Sequence, residues 1–227
     1  MTLPSERYEA SLYPLQDGAL SVISRSGTDF FLTGGTALSR AYYNHRYSDD
    51  LDFFLSRSPA YDEQVDRVLS MLREGGFVWD ARENFTRAKD FTSLTARRGD
   101  SGILLKMDFV NDVAPHFGGV RETPLFCRTD SVRNILSNKL SAVSRYAPKD
   151  VADIWAIARH ETIDWAVIIG EAREKEAGLD IPRICDIIRS MPRGAFESVA
   201  WVEKPDWKAF CEDIGRIALA MLSGQAD

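Results

Sequence analysis

FFLTGGTALSRAYYNHRYSDDLDFFL, residues 30–55, decides the fold. It opens on an apolar run, Phe30 to Leu32, short enough for a buried strand. It then breaks at Gly34-Gly35, where the backbone can turn tightly or approach a ligand closely. Thr36 follows as a helix N-cap, and Ala37, Leu38, Ala41 and Tyr42 have the spacing of a helix with one buried face. After a polar loop a second strand, Asp50 to Leu55, returns. Side chains alternate along a strand, so Asp50 and Asp52 share one face while Leu51 and Phe53 point to the other. Two neighbouring carboxylates in an otherwise apolar strand either raise a pKa or need a cation between them, and a divalent metal ion is the economical partner. Taken apart, Gly-Gly after a strand is common punctuation and Asp-Leu-Asp a common strand end. Together they place backbone N–H groups and a helix N-terminus near a carboxylate pair, the two halves of a site for a magnesium-bound triphosphate.

Outward from this stretch, residues 5–25 carry Leu12, Leu15, Ala19, Leu20 and Ile23 at helical spacing, a covering helix ahead of the first strand. On the other side, Val65, Val68, Leu69 and Leu72 mark a helix that stops at Gly75-Gly76. Three strand-like segments follow, Phe77 to Ala81, Lys89 to Arg97 and Gly102 to Val110. In the third, GILLKMDFV, Leu105, Met107 and Phe109 share one side, and Lys106 and Asp108 share the other with Leu104 and Val110. Alone, Lys106 and Asp108 would be an ordinary half-exposed strand face. Beside Asp50 and Asp52, Asp108 becomes the natural third carboxylate. Thr123 to Cys127 reads as a last short strand. From there the pattern turns helical. Asp130 or Ser131 caps a helix carrying Val132, Ile135, Leu136, Leu140 and Val143, and Pro148 starts the next. Further helices run over 164–177, 182–190 and 205–222, with Ser223 to Asp227 a frayed end. The chain thus divides into an α/β front half, residues 1–129, and a helical rear half, residues 130–227.

Composition bounds the function. With 44% hydrophobic and 27% charged residues over 227 positions, the chain has the makeup of an ordinary globular protein and enough apolar residues for a real core. No apolar run approaches the ~20 residues of a membrane span, and MTLPSERYEA lacks a signal pattern, so a cytoplasmic protein without a membrane partner is expected. Cys127, Cys185 and Cys211 are too scattered for a disulfide frame or a zinc site and read as buried thiols. The net charge is −6, yet residues 81–149 hold 12 basic against 7 acidic side chains. An RNA or nucleotide would be attracted to that segment if anywhere.

With GGTALS, HRYSDDLDFF, KMDF and NKLSAVSRYAPKDVADIWAI in place, residues 28–160 resemble the AbiEii/AbiGii toxin family of nucleotidyltransferases, within the DNA polymerase beta-like superfamily. The resemblance implies an α+β fold, a nucleotidyltransferase-type mixed β-sheet with flanking helices, followed by a C-terminal helical bundle that completes the active-site cleft. It implies that Gly34, Gly35 and Thr36 hold the nucleotide phosphates, that Asp50 and Asp52 bind metal, and that Asp108 is the third metal-binding carboxylate. Arg46 and Ser48 match polar positions just before the pair, where an arginine could reach a triphosphate. Lys139 matches the lysine of a later helical motif, and Asp150 and Asp153 fall in its Lys-Asp-x-x-Asp part, either of them facing the site. The implied activity is transfer of a nucleoside monophosphate from an NTP to an acceptor hydroxyl, with Mg²⁺, or Mn²⁺ in its place, and release of pyrophosphate. Lys139, with Lys106 or Arg46, would neutralise the leaving group. The implied partners are the NTP, an RNA acceptor with the tRNA 3′ end as first candidate, and a cognate antitoxin, in a toxin–antitoxin or abortive-infection (phage defence) system. A small-molecule or protein acceptor, and a non-catalytic nucleotide-binding regulatory protein, are the competing readings. His45 and Asp49 read as loop residues without a role.

Overall fold

Strand alternation sets the architecture of the first half. In the computed structural model, which describes residues 4–100 and 102–224, six strands form one mixed sheet. The chain divides into two compact units: one holds residues up to Tyr42, Tyr47–Val113 and Gly119–Asp130, the other Tyr43–Arg46, Ala114–Gly118 and the residues from Ser131 on.

The first unit opens with a helical run through Pro4–Arg7 and Tyr8–Leu12 into α1 (Tyr13–Ser24), which buries Leu15, Ala19, Leu20 and Ile23. Next come β1 (Phe31–Thr33) and a short helix, α2 (Gly34–Thr36), that continues in wider π-type turns over Ala37–Tyr43. The remainder is β2 (Leu51–Ser56), α3 (Tyr61–Glu74), β3 (Phe77–Val78), β4 (Phe85–Ala88), β5 (Phe91–Arg98) and β6 (Leu105–Asp112). The strand order is β1-β2-β6-β5-β3, with β4 pairing to β5. Among the strand pairings of the described residues, β2–β6 is the parallel one. One face carries the core: Leu51, Phe53 and Leu55 of β2 and Leu105, Met107 and Phe109 of β6 are buried, and the rings of Phe53 and Phe109, opposite each other in register, stack at 5.2 Å. Each such side chain contributes roughly 1.5–3 kcal/mol by leaving water. On α3, Tyr61, Val65, Val68, Leu69 and Leu72 are buried along one stripe.

Three local expectations are corrected. Lys89-Asp90 is a turn rather than the start of a strand. Asp90 has φ +59°, and the turn joins β4 to β5 as a hairpin, so the region holds four strands and not three. Thr123 to Cys127 forms no strand; Thr123 and Phe126 close a turn instead, and sheet-like pairing falls on Thr129, which bridges Leu32 and Arg121. Of the three cysteines only Cys185 is buried; Cys127 and Cys211 are exposed.

The second unit is helical: α4 (Val132–Ala142), α5 (Pro148–His160), α6 (Trp165–Lys175), α7 (Ile181–Ser190) and α8 (Trp207–Gly224), with tight 3₁₀ turns at Val143–Arg145 and Arg193–Ser198. The side chains of Ser131, Asp164 and Asp180 cap α4, α6 and α7 by accepting from the backbone N–H three residues on, and Pro148 opens α5. Trp155, Trp201 and Phe210 meet in its core. The tail expected to fray stays helical through Gly224, and its last three residues lie outside the described ones. Among the described residues no helix is long and apolar enough to cross a membrane.

Candidate active site

Register aligns four polar residues from four strands. Thr33 of β1 is opposite Asp52 of β2, Asp52 is opposite Asp108 of β6, and Asp108 is opposite Ser93 of β5. Residues directly opposite one another share a face, so these side chains form a polar row across the sheet. The next row on that face is apolar: Phe31, Phe54, Val110 and Phe91. Asp50 stands one residue ahead of β2.

The glycine turn is fitted to this row. Gly34 has φ +68°, and a Cβ placed there would overlap Asp52 Oδ2. Glycine is therefore required twice, for its backbone conformation and for the space it leaves beside the carboxylate. The helix begins earlier than the sequence suggests. Thr33 occupies the N-cap position with extended backbone, and Thr36 lies inside the first turn. Neither hydroxyl caps the helix. Thr33 donates to Asp130 Oδ2 at 2.5 Å, and Thr36 donates to the Asp50 carbonyl at 2.5 Å, which ties the glycine turn to the segment that carries the carboxylates. Gly35 and Ser48 are buried nearby in the chain, and the Ser48 carbonyl accepts from Gln16 Nε2 at 3.0 Å. Gly34→Ala is expected to cost roughly 1–3 kcal/mol from backbone strain alone and to displace the Asp52 carboxylate. Urea denaturation and a transfer assay on the same preparation would check both effects.

Asp108 is held at both oxygens. Ser93 Oγ donates to Oδ1 at 2.6 Å, and the Lys106 ammonium makes a short ion pair with Oδ2. Burial pulls the Lys106 pKa down, but the hydrogen bond to Asp108 and the fields of Asp108, Asp50 and Asp52 outweigh it, and the net shift is upward. Asp50, Asp52 and Asp108 are hard oxygen donors of the kind a magnesium or manganese ion takes, and the missing Cβ of Gly34 is what lets the Asp52 carboxylate sit against the glycine turn. The donor set thus fits such an ion in kind. Among the described residues no three His, Cys, Asp or Glu side chains converge closely enough to hold a metal as they stand, and both Asp108 oxygens are engaged by Ser93 and Lys106.

The other candidate residues gather in the helical unit as a buried ionic cluster. Arg46 forks onto Asp153, Nε to Oδ1 at 2.7 Å and Nη2 to Oδ2 at 2.9 Å. Lys139 Nζ reaches Asp150 Oδ1 at 2.7 Å and Asp153 Oδ2 at 2.6 Å, and Arg145 pairs with Asp150 Oδ2 at 2.9 Å. Both carboxylates turn inward and are fully buried, so neither is singled out as facing a ligand. Burial pushes the Asp153 pKa up, but Arg46, Lys139 and His45 together hold it well below the ordinary 3.8. For Lys139, burial is likewise overcome by Asp153 and Asp150, and it stays protonated.

His45, read from sequence as an idle loop residue, belongs to this cluster. Its Nε2 donates to Asp153 Oδ1 at 2.8 Å, while Nδ1 is buried without a partner. Burial lowers its pKa against the pull of Asp153. The folded protein therefore refuses a proton that the unfolded chain accepts below about pH 6.5. Stability from this source is complete above that pH and falls as pH drops below it. Asp153 works in the same direction at lower pH, its contribution lost as the pH passes below the ordinary carboxylate range. Unfolding midpoints of His45→Gln are expected to vary less than those of the unsubstituted protein between about pH 7 and about pH 5. Equal slopes would contradict the assignment. Asp49 also has a role, accepting from the Tyr8 hydroxyl at 2.8 Å.

The basic middle segment is less free than its count suggests. Arg87 pairs with Asp62 and Asp66, Arg133 with Glu171, and Lys139 and Arg145 with the buried aspartates.

A mixed sheet that sets a glycine turn against carboxylates on neighbouring strands, joined to a helical unit, is a nucleotidyltransferase fold. The chain belongs to the AbiEii family: residues 19–220 match the family model described as "Nucleotidyl transferase AbiEii toxin, Type IV TA system". It is thus a nucleotidyltransferase toxin of a toxin–antitoxin system, with a cognate antitoxin as implied partner. Two solved structures share the fold. JHP933 from Helicobacter pylori is 17% identical, with TM-score 0.62 over 95% of this chain and 93% of its own. A second H. pylori chain, provisionally assigned as a nucleotidyltransferase, is 17% identical, with TM-score 0.61 over 93% and 96%. No curated protein matches the sequence.

Proposed function

We propose that this toxin transfers a nucleoside monophosphate from an NTP to a hydroxyl of RNA, the tRNA 3′ end being the first candidate, with Mg²⁺ or Mn²⁺ as cofactor. The observation that carries this reading is the polar row in which Asp52 lies opposite Asp108 in register, with Gly34 clearing the space beside Asp52. In the reaction the acceptor oxygen bonds to the α-phosphorus, the α–β phosphoanhydride breaks, and pyrophosphate leaves. Asp50 and Asp52 would hold the metal, with Asp108 completing the set or taking the acceptor proton. When bound, the ion supplies Lewis-acid stabilisation of charge on the phosphates. The backbone of Gly34 and Gly35, which open the helix, and of Thr36 in its first turn would receive phosphate oxygens. Lys106 is free to reach a phosphate, being half-exposed on a flexible stem.

One observation favours a second acceptor class. With Arg87, Arg133, Lys139 and Arg145 engaged by carboxylates and a net charge of −6, a protein or small-molecule hydroxyl competes with RNA. Incubation with each α-labelled NTP, Mg²⁺ and total RNA over a salt series separates the two. Label in a discrete tRNA-sized band, falling steeply with added salt, supports RNA. Label in protein, or in a small product with little salt dependence, overturns it.

A further inference from the structure

We propose that Lys106 is a displaceable counter-ion for the carboxylate row, competing with a divalent cation for Asp108 Oδ2. The inference rests on the metal-dependent reading above and goes beyond it by giving the site a built-in competitor. Three observations carry it. The Asp108 carboxylate is anchored at Oδ1 by Ser93 and only 15% exposed, so it stays in the row whichever cation it meets. The Lys106 side chain is 50% exposed, and its ammonium is held by that one carboxylate on a four-carbon stem, so it can swing away without disturbing the sheet. The carboxylate it pairs with stands directly opposite Asp52 in register, so the ammonium places a positive charge beside the row and not on an isolated surface aspartate.

A purely structural ion pair explains this arrangement poorly. Half-exposed pairs contribute little to stability, and Lys106 lies opposite Thr95, where an uncharged residue would pair equally well. Asp52 and Asp108, by contrast, stand directly opposite each other and repel unless a positive charge sits beside them. Lysine suits a placeholder better than arginine does. Its ammonium is a point charge that can exchange one partner for another, whereas a guanidinium would fork across both carboxylate oxygens and hold them.

The test is Mn²⁺ binding followed by electron paramagnetic resonance, without nucleotide, on the full chain and three variants. Lys106→Met removes the competing charge and is expected to bind Mn²⁺ roughly ten-fold tighter. Lys106→Arg is expected to bind several-fold more weakly than the unsubstituted protein, and Asp52→Asn to lose the site. Should Lys106→Met misfold by circular dichroism, Lys106→Gln replaces it. Unchanged or weaker Mn²⁺ affinity in the neutral variant, with the unsubstituted protein binding normally, overturns the counter-ion role and leaves the metal-site reading intact. No Asp52-dependent Mn²⁺ binding in any form overturns the metal-site reading itself, and the counter-ion role with it.

Discussion

Asp52→Asn is expected to lower nucleotidyl transfer by on the order of 10³-fold or more while leaving the protein as stable as before or slightly more stable. The loss in rate follows from removing one preorganised charged group from a site that acts by electrostatics, where single groups typically account for ~10²–10³. The stability forecast follows from register. Asp52 and Asp108 stand directly opposite each other on β2 and β6, and like charges in that relation destabilise a sheet by up to about 1 kcal/mol. Asparagine keeps the shape and removes the repulsion. Activity and thermal midpoint therefore move in opposite directions, a pattern expected of functional residues held at a cost to the fold. A variant that lost activity and several degrees of melting temperature together would point to a structural role instead.

Asp153→Ala is expected to do the reverse, costing about 3–5 kcal/mol because it leaves buried cations without their shared partner. Arg46 and Lys139 both lose a carboxylate contact, and His45 Nε2 loses its acceptor. Four of the five tryptophans, Trp155, Trp165, Trp201 and Trp207, lie in the helical unit, so intrinsic fluorescence reports mainly on it. Urea denaturation followed by fluorescence should show the transition at markedly lower denaturant. A change below about 1 kcal/mol would mean the cluster relaxes or takes up water, and that its burial is not what holds the unit together.

The two substitutions also mark what could be read from the sequence. The carboxylate row could be read in part, because strand periodicity is local. Alternation in LDFFL and LLKMDFV puts Asp52 and Asp108 on the polar faces of their strands, whatever strands neighbour them. Their alignment with each other, with Thr33 and with Ser93 depends on register between strands far apart in the chain, and nothing in one sequence fixes it. β4 is not legible in the sequence because Phe85–Ala88 is short, largely exposed and lacks a clear apolar alternation, while Lys89-Asp90 has the pattern of the strand that follows. The position of Thr36 is hidden for a related reason. A threonine after Gly-Gly has the signature of a cap, but the glycines themselves wind into the first helical turn and move the cap position back to Thr33.

His45 and Arg46 illustrate a different limit. In HRYSDD a run of polar residues reads as a solvated loop, and an arginine beside a metal-binding pair suggests a hand for phosphate. Both side chains instead turn onto Asp153, 108 and 107 positions away in the chain, where they are buried. Only a partner that distant makes burial of so polar a segment tolerable, because a charge leaves water cheaply only when it is paired and hydrogen-bonded. Lys139, Asp150 and Asp153 were picked out by family resemblance, and the structure adds that all three have turned inward to share one network.

In the proposed reaction the bond broken lies between the α- and β-phosphates. The most direct test incubates the protein with Mg²⁺, total RNA and an NTP labelled in parallel at the α- and γ-phosphorus. Alpha-label is expected to enter the acceptor while γ-label is released as pyrophosphate, both lost in Asp52→Asn. Gamma-label appearing as orthophosphate or on a macromolecule, with α-label left in the nucleoside diphosphate, would contradict it and assign the carboxylate row to a different phosphoryl chemistry.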